Sequence, residues 1–158
     1  NRDNSFRATL EQRYPEVVIV DAKGFTAEPQ TFDIASAMIT QNPELDAIYV
    51  AWDVAAEGAV EAIRASGRND IKLVTMDLGA NNDIEMARGG IVYATVADMP
   101  FDVGYHMGTL AAYGLLGKEA QPFTNVGNIK VTKDNLASAW EKSLRQELPD
   151  SIKAALGN

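Results

Sequence analysis

Cysteine is absent from this chain and histidine occurs once. The first absence removes disulfides, thiolate metal sites and a cysteine nucleophile. The second removes any histidine pair with metal-ligand spacing, so neither a metal nor another cofactor is expected. No apolar run approaches the ~18 residues that a membrane-spanning helix needs. Positive charge is also scarce: 14 Lys and Arg stand against 22 Asp and Glu, a net charge of −8 with a pI near 4.6. Binding to a phosphate backbone needs clustered Lys and Arg, which argues against a nucleic-acid partner. Catalytic signatures are missing as well. There is no G-x-S-x-G and no Walker loop, and Gly79-Ala80-Asn81 with Gly89-Gly90 does not make a G-x-G-x-x-G. An enzyme is not expected. The opening Asn1-Arg2-Asp3-Asn4-Ser5-Phe6 has neither an initiator Met nor an apolar signal segment, and reads as the interior of a processed or truncated chain.

What is present suffices for one ordinary core: 158 residues, 46% apolar and 23% charged. Phe6, Leu10 and Tyr14 recur at helical spacing until Pro15, which cannot continue the hydrogen-bond ladder. Val17-Val18-Ile19-Val20-Asp21, four β-branched residues closed by an acid, predicts a buried strand. Phe32, Ile34, Ala35, Met38 and Ile39 predict an amphipathic helix ending before Asn42-Pro43. The pattern then repeats, with strands over 47–51, 71–76 and 91–96 and helices over 54–66 and 84–88. Gly67 is placed to close the first of these helices. Alternation with short connections implies right-handed crossovers and a parallel sheet with helices on both faces, an α/β, doubly wound, three-layer architecture. Beyond Pro100 the spacing predicts a long helix over 101–116, a short strand over 129–131, a helix over 135–148 and a last turn over 151–156.

Each predicted strand ends on polar or aromatic residues: Asp21, Trp52-Asp53, Asp77 and Asp98. In an open α/β sheet, ligands bind beyond the carboxyl ends of the strands. Carboxylates there accept hydrogen bonds from neutral hydroxyls, an indole stacks on the C–H face of a sugar ring, and Arg2 brings five donors from the first helix. So acidic a set suits a polyhydroxylated neutral ligand better than an anion. The alternatives are N-capping for the acids and core packing for Trp52. His106, on a predicted amphipathic helix, reads as structural or surface.

The run Ala47-Ile48-Tyr49-Val50-Ala51-Trp52-Asp53-Val54-Ala55-Ala56-Glu57-Gly58-Ala59 resembles the strand–Asp–helix–Gly–Ala segment of periplasmic sugar-binding proteins of the ribose-binding type. Val74-Thr75-Met76-Asp77-Leu78-Gly79 is similar to their "G-F-D" strand end, and Ala94 to Gly104 to a segment crossing between their two lobes. The resemblance implies a periplasmic-binding-protein fold of which residues 1–98 form the C-terminal ligand-binding lobe. Residues 99–158 would supply the crossover helix, last strand and C-terminal helix, with helix 101–116 belonging to the N-terminal lobe. It places Asp77 on the family's ligand-binding aspartate and Arg2 on its lobe-helix arginine, and brings Phe25 near a loop aromatic that covers the ligand. Trp52 stands where a polar residue, often Asn, is usual, and Asp98 where Gln is common; both departures bear on which ligand fits. Asp53 completes the expected ligand set. The function implied is binding of a sugar or polyol for an ABC-type importer, with a membrane permease as partner. The implied location is periplasmic, or cell-surface in a bacterium without an outer membrane. The same fold also serves effector domains of lactose-repressor-type regulators. An apolar face on helix 101–116 left without its lobe would favour a homodimer.

Overall fold

The computed structural model describes residues 2–157. Four strands form one sheet in the order β1 (Ala47–Tyr49), β2 (Lys72–Met76), β3 (Val92–Ala97), β4 (Ile129–Val131). The first three are parallel and β4 runs antiparallel to β3. The sheet is thus mostly parallel, with helices between its strands as the alternation requires. Those helices are α1 (Arg2–Arg13), α2 (Gln30–Gln41), α3 (Asp53–Ser66), α4 (Ala80–Ala87), α5 (Pro100–Leu115), α6 (Leu136–Leu144) and α7 (Asp150–Leu156).

The core lies where branched aliphatic strand residues meet mostly small helix residues. Ile48, Leu73 and Val92 are buried with Ala55, Ala56, Ala59 and Ile63 of α3, and Met86 of α4 joins them. Gly58 lets α2 and α3 close up: a β-carbon there would stand 2.5 Å from Thr31 Oγ1. Gly67 ends α3 in the left-handed conformation, φ 76°, as its position predicted.

Three expectations need correction. Residues 17–20 are not a buried strand. They run extended without a ladder, with Val17, Val18, Ile19 and Val20 exposed by 48, 75, 37 and 55%. The short helix expected over 84–88 begins earlier, because Asn82 and Asp83 are buried within it. The helix expected over 135–148 breaks at Arg145, whose φ of 54° is incompatible with a continuing helix. The chain then turns through Leu148, which is buried, and Pro149 before α7.

Candidate functional site

Asp77 follows the last residue of β2 and takes the left-handed conformation, φ 66°, which is costly for most non-glycine residues but tolerated by Asp. Both sides of its backbone are pinned to β3. Its N–H donates to the Val96 carbonyl at 2.9 Å, and the buried Thr95 hydroxyl donates to its carbonyl at 2.8 Å. The matching hydroxyl one strand over, Thr75 Oγ1, donates to the Val50 carbonyl at 2.9 Å. These two threonines tie the carboxyl ends of neighbouring strands together and so fix the rim of the sheet. Neither was singled out from sequence, although Thr75 lies two residues before Asp77, on the alternating pattern that returns the chain to the same face.

The capping alternative fails for the acids at this rim. The N-cap of α4 is Gly79, that of α3 is Trp52 and that of α5 is Met99, each without a side-chain cap hydrogen bond. The carboxylates of Asp53, Asp77 and Asp98 are therefore not committed to helix ends. They are brought together instead. Burial pushes the Asp77 carboxyl up from the ordinary range, the charges of Asp98 and Asp53 push it further, and Arg2 pulls it back down. Arg2 reaches the rim from α1, donating from Nη1 to Met76 Sδ at 3.3 Å. Tyr49 holds α1 in place by stacking on Phe6, with ring centroids 4.2 Å apart and planes 18° from parallel. Burial, and then Asp3, push the Tyr49 hydroxyl above its usual value.

Trp52 stays well exposed beside Asp53, so core packing does not account for it. Gly79 leaves room for Asp53: a β-carbon at residue 79 would lie 2.8 Å from Asp53 Oδ2. Asn82 fixes the same stretch from α4, donating from Nδ2 to the Asp53 carbonyl at 2.7 Å. The buried Ser143 of α6 donates to the Asp98 carbonyl at 2.8 Å. Phe25 is placed differently. It is half-buried against the core and lines a cavity of about 630 Å³ between residues 17–25 and β1. Asp21 pairs with Lys23 at 3.3 Å and ends no ladder strand. His106 meets Tyr105 edge-on on α5, with centroids 5.6 Å apart. Among the described residues no cluster of three or more His, Cys, Asp or Glu is arranged to hold a metal ion. No described helix is long and apolar enough to cross a membrane.

A family model described as a periplasmic binding protein domain matches residues 1–119. The chain belongs to that family. Among its relatives is the D-allose-binding periplasmic protein of Escherichia coli, 33% identical over 75 residues, which are 48% of this chain and 24% of that protein. The ribose import binding protein RbsB of Salmonella typhimurium is 26% identical over 101 residues, 60% of this chain and 34% of that one. The chain thus spans about a third or less of the curated relatives it matches. Among solved structures, an ABC sugar transporter subunit from Rhodobacter sphaeroides superposes with a TM-score of 0.70 at 28% identity, over 85% of this chain and 50% of that one. An ABC transporter solute-binding protein from Agrobacterium vitis, bound with α-D-tagatopyranose, reaches a TM-score of 0.81 at 18% identity, over 94% and 49%. That second likeness shows the fold. A periplasmic-binding-protein lobe is what the mostly parallel sheet with flanking helices builds.

Proposed function

We propose that this chain forms one wall of a sugar- or polyol-binding cleft in the solute-binding component of an ABC-type carbohydrate importer. The observation that carries this reading is the convergence of Arg2, Asp53, Asp77 and Asp98 at the carboxyl ends of parallel strands, with none of the acids capping a helix. The names of the relatives support the ligand class, since they describe D-allose and ribose binding.

The role is binding, not catalysis. Asp77 and Asp53 accept hydrogen bonds from ligand hydroxyls, Arg2 donates to ligand oxygens, and Trp52 offers an apolar face to a sugar ring. Phe25, on the loop that follows residues 17–20, covers the ligand. Hinge closure against a second lobe completes the site, and the closed form is what a membrane permease recognises. Residues 1–98 supply the ligand-binding lobe. Helix α5 then packs on the other lobe, which accounts for its having no buried residue and exposing Phe101, Tyr105, Met107 and Leu115. Where that lobe is lacking, a second copy of this chain covers the face. The location that fits is periplasmic or, in a bacterium without an outer membrane, the cell surface.

Calorimetric titration of the longer protein with a panel of pentoses, hexoses and polyols tests the reading. Heat from at least one sugar, lost in Asp77→Ala, is expected. Silence across the panel together with turnover of some other substrate would overturn it.

A further inference from the structure

The rim acids Asp53, Asp77 and Asp98 have one feature in common: the backbone carbonyl of each is held by a buried polar side chain from another element. Asn82 of α4 donates to Asp53, Thr95 of β3 to Asp77 and Ser143 of α6 to Asp98, at 2.7, 2.8 and 2.8 Å. These donors are 3, 2 and 1% exposed, and they make up three of the six buried polar or charged residues among those described. A polar group is costly to bury unless it is hydrogen-bonded, so where it is spent carries information. At Asp98 it fixes the backbone and leaves the residue itself exposed. This third contact comes from outside residues 1–119, the stretch that the family model matches. It also has a companion. Arg145, two residues after Ser143, sets its Nη2 3.9 Å from Asp102 Oδ1 and its guanidinium carbon 5.5 Å from the centre of the Phe101 ring. One end of α6 thus grips the chain on both sides of Met99 and Pro100, at residue 98 and again in the first turn of α5.

We infer that the C-terminal turn of α6 is a positioning element for the binding cleft, with Ser143 and Arg145 setting the angle at which Asp98 meets a ligand. The backbone of Arg145 is the second observation. It ends α6 in the left-handed conformation, φ 54°, where its N–H donates to the Glu141 carbonyl at 3.0 Å. Glycine fills the same place at the ends of α3 and α7, with φ of 76° and 86°. Glycine takes this conformation without a penalty from a β-carbon. An arginine there weakens the helix end, and what the position gains is its side chain, a cation over the Phe101 ring and beside Asp102. Ion pairs and cation–π contacts at exposed sites hold little energy, so they suit a hold on orientation better than support of the fold. Strained residues of this kind cluster at functional sites. The inference rests on the reading of Asp98 as a ligand residue, while the geometry at the end of α6 is testable without any ligand.

Arg145→Gly separates positioning from support. It should raise the melting temperature by about 2–4 °C, because the backbone strain is relieved. The same variant should weaken binding in calorimetric titrations with D-ribose and D-allose by about fivefold, the worth of one net hydrogen bond to a misplaced Asp98. Ser143→Ala should weaken binding to a similar extent. Unchanged affinity in Arg145→Gly for a sugar that binds the parent would overturn the inference, because Arg145 would then serve the fold alone. A second readout needs no sugar. The Asp98 charge helps to raise the Asp77 carboxyl, so an Asp98 released from its hold should let Asp77 titrate lower in both variants, followed by NMR of the carboxyl carbon. An Asp77 titration identical to the parent's would overturn the inference. Absence of heat from either sugar in the parent, with Asp77 moving as expected, would sink the reading of the site and leave the positioning role of α6 standing.

Discussion

Asp77 combines features that pull against folding: a left-handed backbone, partial burial, and two like charges close enough to raise its carboxyl pKa. Residues held in sparsely populated conformations cluster at functional sites, where the surrounding structure over-determines them. Here the over-determination is visible in the bonds from Thr95 and to Val96. Asp77→Asn keeps a side chain that tolerates this backbone and removes the repulsion. It should raise the denaturation midpoint while weakening sugar binding by about tenfold or more, the worth of a hydrogen bond to a charged group. Asp77→Ala should lose affinity too but gain no stability, since a β-carbon without local hydrogen bonding costs about 1–2 kcal/mol in this conformation. Paired urea melts and calorimetry distinguish the two. The second residue of note is Asp83, fully buried on α4 with neither carboxylate oxygen hydrogen-bonded among the described residues. Burial first, and the Asp53 charge second, push its carboxyl up to about 7, against a weaker opposing pull from the Gly79 backbone. The folded state thus retains a proton that the unfolded chain releases near pH ~4. The stability tied to that proton is whole below about pH 4 and is lost as pH climbs to about 7. Asp83→Asn should be more stable than the parent at pH 7.5 by ~2 kcal/mol or more, with the gap closing at pH 5, in denaturant melts at the two pH values.

At the scale of elements, the α2–α3 contact is set by one missing side chain. Gly58 faces Thr31 Oγ1, which in turn is shared between the carbonyls of Glu28 and Ala55 at 2.7 Å each. Gly58→Ala should therefore destabilise by ~1–3 kcal/mol, although alanine is the better helix former at an open site. A midpoint unchanged or raised in urea would show that the helices can part without cost. Most element types were legible because period and punctuation agree. Gly67, Pro15 and Pro100 sit at or beside helix ends, and β2 and β3 are apolar runs of strand length. The α4 start was not legible, because Asn82 and Asp83 look like loop residues until their burial is known. The break at Arg145 was not legible either, since the apolar spacing continues through Leu148.

At the scale of the molecule, α5 carries sixteen residues without one buried, and Leu115 is 90% exposed. Exposed apolar faces of this extent mark interaction surfaces. The 158-residue chain should accordingly self-associate, its light-scattering mass rising with concentration and falling on dilution. Met107→Lys should restore a monomer. A wild-type monomer at high concentration with α5 still helical would remove the dimer from the reading.

Sequence by itself determined the alternation of strands and helices, and with it the acids' arrival at the carboxyl ends of the strands, because periodicity and crossover handedness are local or nearly local properties. The likeness of 47–59 and 74–79 to a sugar-binding lobe lay in the same stretches. Only the tertiary structure decided that Asp53, Asp77 and Asp98 cap no helix, that Arg2 reaches Met76 from seventy-four residues away, and that Asp77 pays its strain into a backbone held from both sides. It also decided the fate of Val17–Val20. Four β-branched residues specify a strand, but a strand needs neighbours, and whether an edge finds a partner depends on which other segments fold beside it.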